Sequence, residues 1–470
     1  MTTFPIEIIT TVDQVISHTL VIEIRSHERI SLLPEYWFSS LQINKIQENI
    51  GLSTEKKEKF IVFSHISPNF DTIICFFPGE SLMDDRCDFF STLKNATIFF
   101  PEWDELDALE WFTLSTYVFE KFLSKKREYQ HKIVISFEDI TKIDSKKTLL
   151  NSIIWARDLV NMPPKEANPI GIVESIQSYP WKHFNVEIFD KKQLEKLGCN
   201  LLLAVGAGSD FPPYMVILKP KNPPKWEKYG FIGKGVTFDA GWIQIKPDTA
   251  MLDMKCDMAG AAGMIGVAMY LDTLEALPVN LIVAVGLTEN MTGWSAFKPL
   301  DIYTAYNGIS VEIHHTDAEW RLVLADVMSY VEKNYHVDHL VTMATLTGAC
   351  IYALGHDIAG IMWDDEKVIS GLIDNTSTYE NIWRLPMNEK FKKSLKADIA
   401  DLKNIAKSEK AGSSIGWAFL SYFQGKAKLT HIDIAWPAYR ESVFWYMLKG
   451  GTGWWVKILS EFLIKQWKNN

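Results

Sequence analysis

The chain from residue 151 onward alternates short apolar segments with segments typical of helices, and this alternation constrains the fold more than any other feature. The apolar segments are FNVEIF, YMVILK, GFIGKGVTF, NLIVAVGLT and HLVTMATL. Several of them, such as NLIVAVGLT, lack strict alternation of apolar and polar residues, which indicates strands buried on both faces. Helical segments lie between them, for example at 260–274 and 322–334. We therefore predict a mixed α/β sheet covered by helices.

The first third of the chain shows the same kind of pattern on a smaller scale. Its apolar segments are TLVIEIR, KFIVFS, TIICFF, ATIFF and KIVISF, with a helical stretch at 106–125. The polar stretch 141–147 marks the predicted boundary. A length of 470 residues also fits two to three domains. We predict a smaller N-terminal α/β domain at 1–147 and a larger α/β domain at 148–470.

Charge and composition exclude several classes of protein. The 48 Lys and Arg against 58 Asp and Glu give a net charge of −10, which argues against binding to nucleic acid or anionic membranes. No apolar run approaches the length of a membrane helix, and the start MTTFPIEIITTVDQ lacks the pattern of a secretory signal. The five cysteines form no CxxC pair, which is typical of reduced thiols. We expect a cytoplasmic protein without membrane contact.

Acidic side chains follow the predicted strands in a pattern that suggests chemistry. Asp317, Glu319 and Arg321 stand two residues apart, so in an extended stretch all three face one side. Asp239 directly follows GFIGKGVTF, and Asp257 precedes a run of small residues that lets a helix pack closely. Sites in such sheets lie at the carboxyl ends of strands. We therefore expect these side chains to meet there.

Four carboxylates in one place would repel one another unless cations were present. Two divalent metals would balance the four negative charges of Asp239, Asp257, Asp317 and Glu319, and carboxylate-rich sites suit Mg, Mn and Zn. Acids near strand ends also serve as solvated groups or helix caps. Spacing alone leaves both interpretations open.

Long motifs follow one another in the second two thirds of the chain. They are ARDLVNMPP at 156–164, GKGVTFDAG at 233–241, MLDMKCDMAGAA at 251–262, LTENMTG at 287–293, HTDAEWRLVLAD at 315–326, ATLTGAC at 344–350, WRLPM at 383–387, ADLKN at 400–404 and THIDIA at 430–435. In composition and order they resemble the leucine aminopeptidase (cytosol aminopeptidase) family of dinuclear metallopeptidases. The resemblance is weaker before residue 151. It implies that 148–470 is the catalytic metallopeptidase domain and that 1–147 has an oligomeric or regulatory role.

The resemblance implies a role for each matching residue. The family's metal ligands fall on Lys234, Asp239, Asp257, Asp317 and Glu319. Its catalytic lysine falls on Lys246, and the arginine that holds bicarbonate falls on Arg321. Met254, Thr345 and Gly348 align with positions that line the pocket for the first side chain. The neighbouring His314 and His315 have no counterpart among the ligands, and neighbours on a strand point to opposite faces.

The resemblance also implies an activity. It is the release of N-terminal amino acids, preferably leucine or other apolar residues, from peptides with a free N-terminus. Two Mn or Zn ions, with Mg or Co also acceptable, would hold a bridging hydroxide that attacks the peptide carbonyl. Bicarbonate would carry the proton, and the family forms homohexamers.

Tryptophan stands where the family has glycine at Trp111, Trp242, Trp294, Trp320, Trp436 and Trp455. Overpacking costs about 1–3 kcal/mol per site, so six such changes would cost as much as a typical stability margin of about 5–15 kcal/mol. We hypothesise that the source genome uses a reassigned stop codon for glycine at these positions. The 26 glycines would then become 26 + 6 = 32, near the roughly 33 of an average chain. Read literally, Trp242 and Trp320 flank metal ligands and would obstruct the cleft.

Two other interpretations remain open from the sequence. One is a catalytically impaired homologue that serves as a scaffold, although the chain retains all seven residues of the predicted chemistry. The other is a moonlighting DNA-binding regulator, against which the net charge of −10 argues.

Overall fold

A computed structural model describes residues 6–9, 19–23, 60–67, 70–76, 96–99, 105–125, 131–134, 140–375, 380–407, 410–442 and 449–468. The chain divides into two compact units. One comprises Met1–Ile154 and Arg440–Lys449, and the other comprises Trp155–Tyr439 and Gly450–Asn470. The roles that we assign to the two predicted domains stay predictions.

The first unit contains a six-stranded sheet. Its strands are β1 (Ile6–Ile9), β2 (Thr19–Glu23), β3 (Phe60–Ser67), β4 (Phe70–Phe76), β5 (Ala96–Phe99) and β6 (His131–Val134), in the order β1-β6-β5-β2-β4-β3. The described strand pairs are parallel except for β3 with β4. Helices α1 (Glu105–Thr116) and α2 (Ile140–Asn161) follow along the chain. The α/β character predicted for this part is confirmed.

The second unit is built on an eight-stranded mixed sheet. Its order is β15-β14-β17-β13-β9-β10-β8-β7. These strands are β7 (Phe184–Phe189), β8 (Tyr214–Pro220), β9 (Lys228–Asp239), β10 (Asn280–Asn290), β13 (His339–Ala344), β14 (Ile358–Trp363), β15 (Asn381–Arg384) and β17 (Lys428–Asp433). A three-stranded sheet contains β11 (Ile302–Thr304), β12 (Ser310–Glu312) and β16 (Leu402–Lys403). The short strands β18 (Tyr439–Arg440) and β19 (Gly450–Gly451) pair with each other.

Helices alternate with these strands along the chain. They are α3 (Pro169–Ser178), α4 (Lys191–Leu197), α5 (Asn200–Val205), α6 (Asp248–Met251), α7 (Ala259–Thr273), α8 (Trp320–Tyr335), α9 (Ala349–Leu354), α10 (Glu366–Ile373), α11 (Glu389–Ser394), α12 (Gly412–Leu420) and α13 (Val456–Lys468). Short 3₁₀ turns occupy Gly206–Gly208 and Met254–Met258. Within the part of the chain that the structure describes, no helix combines the length and apolarity needed to cross a bilayer.

Helices pack on both faces of the central strand β9, as the sequence predicts. Gly230 and Gly233 lie three residues apart and therefore face opposite sides of the sheet. A β-carbon at Gly233 would lie 2.7 Å from the backbone of Ala261 in α7, so the helix approaches closely only because this residue is glycine. On the other face, a β-carbon at Gly230 would lie 3.3 Å from Val331 in α8.

Four neighbouring strands end at the same edge of the large sheet. β9 is parallel to β10 and β13, and β13 is parallel to β17. Their last residues are Asp239, Asn290, Ala344 and Asp433. Because parallel strands share one carboxyl edge, this edge gathers polar side chains from segments far apart in sequence.

Candidate metal centre and active site

A β-bulge places Lys234 and Asp239 on the same side of β9. Five residues apart in a regular strand, they would face opposite sides. The pairing with β10 shifts between Thr288 and Asn290, because Val236 is opposite the first and Asp239 opposite the second. The extra residue in β9 restores a common face for the amine and the carboxylate.

Three buried carboxylates converge at this edge. Asp239, Asp257 and Glu319 each offer an oxygen, and these oxygens all lie within 4.8 Å of one another. Lys234 Nζ lies 2.6 Å from Asp257 Oδ1 and 2.9 Å from Glu319 Oε1. The structure thus brings together four of the five predicted metal ligands in the interior of the second unit.

Lys246 and Asp317 lie beside this group, nearer to solvent. Lys246 Nζ is 2.8 Å from Asp239 Oδ2 and also pairs with Asp317 Oδ1. The side chain of Asp317 is 26% exposed and that of Lys246 is 15% exposed, whereas those of the other three acids are 6% or less. The accessible side of the cluster is therefore the one formed by these two residues.

The cluster fits divalent metal ions on its own chemistry. Among the described residues, Asp257 Oδ2 and Glu319 Oε2 are buried without a hydrogen-bond partner. Such oxygens are costly to bury unpaired, and a cation would compensate them. Four carboxylates and two lysines leave an excess of −4 + 2 = −2. Carboxylate oxygens with one amine nitrogen are a donor set that Mn, Zn and Mg accept.

Burial and crowding raise the pKa of the acids in this cluster. Burial raises the pKa of Asp257 well above its usual range, and burial together with Asp239 raises that of Glu319. The same causes raise the pKa of Asp317 to about 7. Burial alone would lower the pKa of Lys234, but Asp257 and Glu319 raise it overall. Without metal, Lys234 is therefore an ammonium ion that hydrogen-bonds to both acids.

Arg321 lies in the first turn of α8 and is buried. Its Nη1 donates to the backbone carbonyl of Asn404 at 2.7 Å, whereas its Nε has no partner among the described residues. The guanidinium carbon lies 4.5 Å from the Trp320 ring centre and 5.9 Å from that of Phe419. Burial lowers the pKa of Arg321 to about 10, so it remains a cation at neutral pH.

The three predicted pocket residues are placed differently with respect to the acids. Thr345 touches the cluster directly, because its Oγ1 donates to Asp257 Oδ1 at 2.7 Å and its carbonyl accepts from Lys234 Nζ at 3.1 Å. Met254 lies three residues before Asp257 in the same 3₁₀ turn. Gly348 caps α9, and a β-carbon there would meet no atom within 4 Å. In the described structure, neither of these two residues hydrogen-bonds to the acids.

Uncharged residues that the sequence analysis missed hold the acidic residues in place. Asn290 Nδ2 donates to Asp239 Oδ1 at 2.7 Å and to the Thr316 carbonyl at 3.3 Å. Gln244 Oε1 accepts from Thr316 N at 2.7 Å. Asn404 contacts the segment before Asp317. Asn290 and Asn404 lie inside the motifs LTENMTG and ADLKN, which were the available signal, but an argument based on charge does not select amides.

Two of the tryptophans at family glycine positions have a backbone that favours glycine. Trp242 has φ 65° and Trp455 has φ 78°. Both are fully buried, and neither indole N–H has a hydrogen-bond partner in the described part of the chain. Leu300 also has a positive φ of 74°, but its side chain is exposed.

The other tryptophans at such positions have different surroundings. Trp320 is buried, its ring stacks on His431 at 5.7 Å, and a β-carbon at Gly416 would lie 2.4 Å from it. Trp294 is fully exposed, and Trp436 lies against His356. Trp111 belongs to α1, and its side chain lies outside the described residues.

Comparison with known proteins assigns the chain to a family. Residues 154–460 match the model of the cytosol aminopeptidase family, catalytic domain. A probable cytosol aminopeptidase of Chlorobium limicola is 41% identical over 317 residues, which cover 66% of this chain and 62% of the relative. The cytosol aminopeptidase of Haemophilus influenzae is 36% identical over 378 residues, which cover 78% of this chain and 75% of the relative.

A solved structure shares the fold. The bottromycin maturation enzyme BotP in complex with Mn matches with a TM-score of 0.80 over 96% of this chain and 100% of that one, at 23% identity. The chain belongs to the cytosol aminopeptidase family, a class of aminopeptidase hydrolases. The resemblance stated from the sequence motifs is thereby confirmed. The scaffold and DNA-binding alternatives gain no support from these relatives.

Proposed function

We propose that this protein is a metal-dependent aminopeptidase that releases leucine or other apolar residues from the N-terminus of peptides in the cytoplasm. The observation that carries the proposal is the group of three buried carboxylates, Asp239, Asp257 and Glu319, whose oxygens lie within 4.8 Å of one another. Asp257 Oδ2 and Glu319 Oε2 have no hydrogen-bond partner among the described residues, so the group has unused capacity for a cation.

Lys234, Asp239, Asp257, Asp317 and Glu319 would hold two divalent ions. When bound, the ions would polarise the scissile carbonyl and make water a better nucleophile near neutral pH. Mn or Zn suits this donor set best, with Mg or Co as further candidates. The manganese in the structurally similar BotP supports this choice of metal.

Lys246 and Arg321 would act directly on the reacting groups. Lys246 carries its charge on the accessible side of the cluster, where it would donate to the oxyanion that develops on the peptide carbonyl. Arg321 would hold bicarbonate, a weak base suited to proton transfer, through a guanidinium whose Nε is unpaired. Met254, Thr345 and Gly348 would line the pocket for the first side chain. The homohexamer that the sequence resemblance implies is part of the same proposal.

Hydrolysis of leucinamide with added Mn²⁺ or Zn²⁺ tests this function. We expect turnover that EDTA abolishes and added metal restores, and no turnover of N-acetyl-leucinamide, because the free amino group is part of the recognised substrate. The assay should include the chain as given and a form with glycine at the six suspect positions. Absence of hydrolysis in both, or equal hydrolysis of the acetylated control, would contradict the proposal.

Metal affinity is expected to rise with pH. In the metal-free protein Asp257 and Glu319 keep Lys234 protonated, and a lysine ligates only as the neutral amine, so binding must displace its proton. Calorimetric titration of Mn²⁺ in two buffers of different ionisation enthalpy counts the protons released. We expect Lys234→Met to bind more weakly and to release about one proton fewer than the wild type. Equal proton release by the two proteins would exclude Lys234 as a ligand.

A further inference from the structure

Asn404 is fully buried and directly follows β16, which pairs in parallel with β12. Its backbone N–H continues this pairing by donating to the carbonyl of Glu312 at 3.1 Å. The register therefore places Asn404 at the beginning of the segment 313–321. This segment supplies two of the predicted metal ligands and Arg321.

The side chain of Asn404 uses both ends of its amide on this segment. Oδ1 accepts from the backbone N–H groups of His314 at 2.8 Å and His315 at 3.1 Å. Nδ2 donates to the His315 carbonyl at 2.6 Å. The three hydrogen bonds fix the backbone two residues before Asp317. The amide supplies both an acceptor and a donor in this arrangement, whereas a carboxylate would face the carbonyl with a second acceptor.

The backbone of the same residue contacts the far end of the segment. The Asn404 carbonyl accepts from Arg321 Nη1 at 2.7 Å, which sets the orientation of a buried guanidinium. Asn404 thus contacts the segment on both sides of its two acids, before Asp317 and, at Arg321, after Glu319. A shift at Asn404 would move both acids and Arg321 together.

We propose that Asn404 is a positioning residue. It holds the segment 313–321 in the geometry in which Asp317 and Glu319 bind metal ions and Arg321 binds bicarbonate. The proposal rests on the proposed function, since it concerns the same centre. It adds a residue that contacts neither the acids' side chains nor a substrate but determines where the segment lies.

The first test uses the protein without metal. Asn404→Ala removes all three side-chain hydrogen bonds, and Asn404→Asp keeps the acceptor but loses the donor. Asn375→Ala is the matched control, because Asn375 is also buried and donates to a backbone carbonyl, that of Gly371, outside the segment. We expect faster amide hydrogen exchange in 313–321 for Asn404→Ala, an intermediate change for Asn404→Asp, and none for the control. Unchanged exchange in this segment would overturn the proposal.

The second test measures Mn²⁺ binding and kinetics on the same three variants. Loss of a residue that orients ligands typically weakens metal affinity or activity about 10–100-fold. We expect Asn404→Ala to show this loss in Mn²⁺ affinity and in kcat, with KM for leucinamide nearly unchanged, and Asn404→Asp to recover part of it. If Asn404→Ala loses thermal stability like the control but keeps its Mn²⁺ affinity per folded molecule, its role is structural and the proposal is wrong.

A wild type that binds no Mn²⁺ would overturn the proposed function, and the positioning role at a metal centre with it, whereas Mn²⁺ binding without peptide hydrolysis would overturn only the activity.

Discussion

Glycine in place of Trp455 is expected to raise the free energy of unfolding. The present φ of 78° costs an L-residue about 1–2 kcal/mol. The buried indole N–H of Trp455 has no hydrogen-bond partner among the described residues, which costs about 1–3 kcal/mol more. At an ordinary buried tryptophan the same kind of substitution has the opposite effect, because loss of the side chain leaves a cavity and lowers the free energy of unfolding by about 3–5 kcal/mol. If position 455 is built for glycine, its neighbours close over the space and we expect a net gain of about 2 kcal/mol.

Trp454 is the matched control for this change. It is adjacent and buried, and its indole N–H also has no hydrogen-bond partner among the described residues, but its φ is not positive. Trp454→Gly should destabilise, whereas Trp455→Gly and Trp242→Gly should stabilise, as measured by urea unfolding. A loss of several kcal/mol for all three variants would contradict the glycine hypothesis. The hypothesis also requires glycine at these positions in peptides of the protein isolated from its source organism, which mass spectrometry would show.

Asp257→Asn is expected to abolish metal-dependent activity without unfolding the protein. The isosteric amide relieves the repulsion of Asp257 with Asp239 and Glu319 but also weakens its pairing with the buried Lys234 ammonium, so we expect these two effects to offset each other in part and the metal-free protein to stay folded. The substitution removes the negative charge and replaces one of the two carboxylate oxygens, which are the atoms available to a metal ion, with an NH2 group. Electrostatic stabilisation by metal is worth several kcal/mol, which corresponds to a fall in kcat/KM of about a thousandfold or more.

Asp326→Asn provides the matched control for the loss at Asp257. Asp326 is also fully buried, and burial raises its pKa to about 7. It accepts from the backbone of Leu201, Leu202 and Tyr306 rather than from the cluster. The Asp326→Asn substitution should lower the free energy of unfolding but leave the Mn²⁺ stoichiometry and kcat unchanged. An Asp257→Asn protein that hydrolyses leucinamide at the wild-type rate would exclude this residue as a ligand.

The sequence predicts the fold class because apolar segments that alternate with helical segments indicate it directly. NLIVAVGLT has no charged residue and an uninterrupted apolar run at 281–287, and the structure buries every residue of the corresponding strand β10. Charge balance and family motifs select the acids correctly as a group that meets at one edge. These two features depend on residue type and order, which a sequence contains in full.

Other features of the site depend on geometry that the sequence does not state. The bulge that turns Lys234 and Asp239 to one face appears only in the pairing of β9 with β10. The side chain of Asn404 contacts the backbone of residues about 90 positions earlier in the chain. The residue type alone does not indicate these partners. The strained backbone of Trp242 is likewise visible only as an angle, although the motif comparison had marked the position.

Metal stoichiometry tests the central claim most directly. After removal of metal with a chelator and dialysis against Mn²⁺, elemental analysis of the purified protein should find two ions per chain, and leucinamide hydrolysis should return in step with them. The two-ion account rests on the resemblance to a dinuclear family and on the four acids of the cluster, in which Asp257 Oδ2 and Glu319 Oε2 have no hydrogen-bond partner among the described residues. A folded protein that retains no divalent ion after this treatment, or that hydrolyses leucinamide equally well without one, would contradict it.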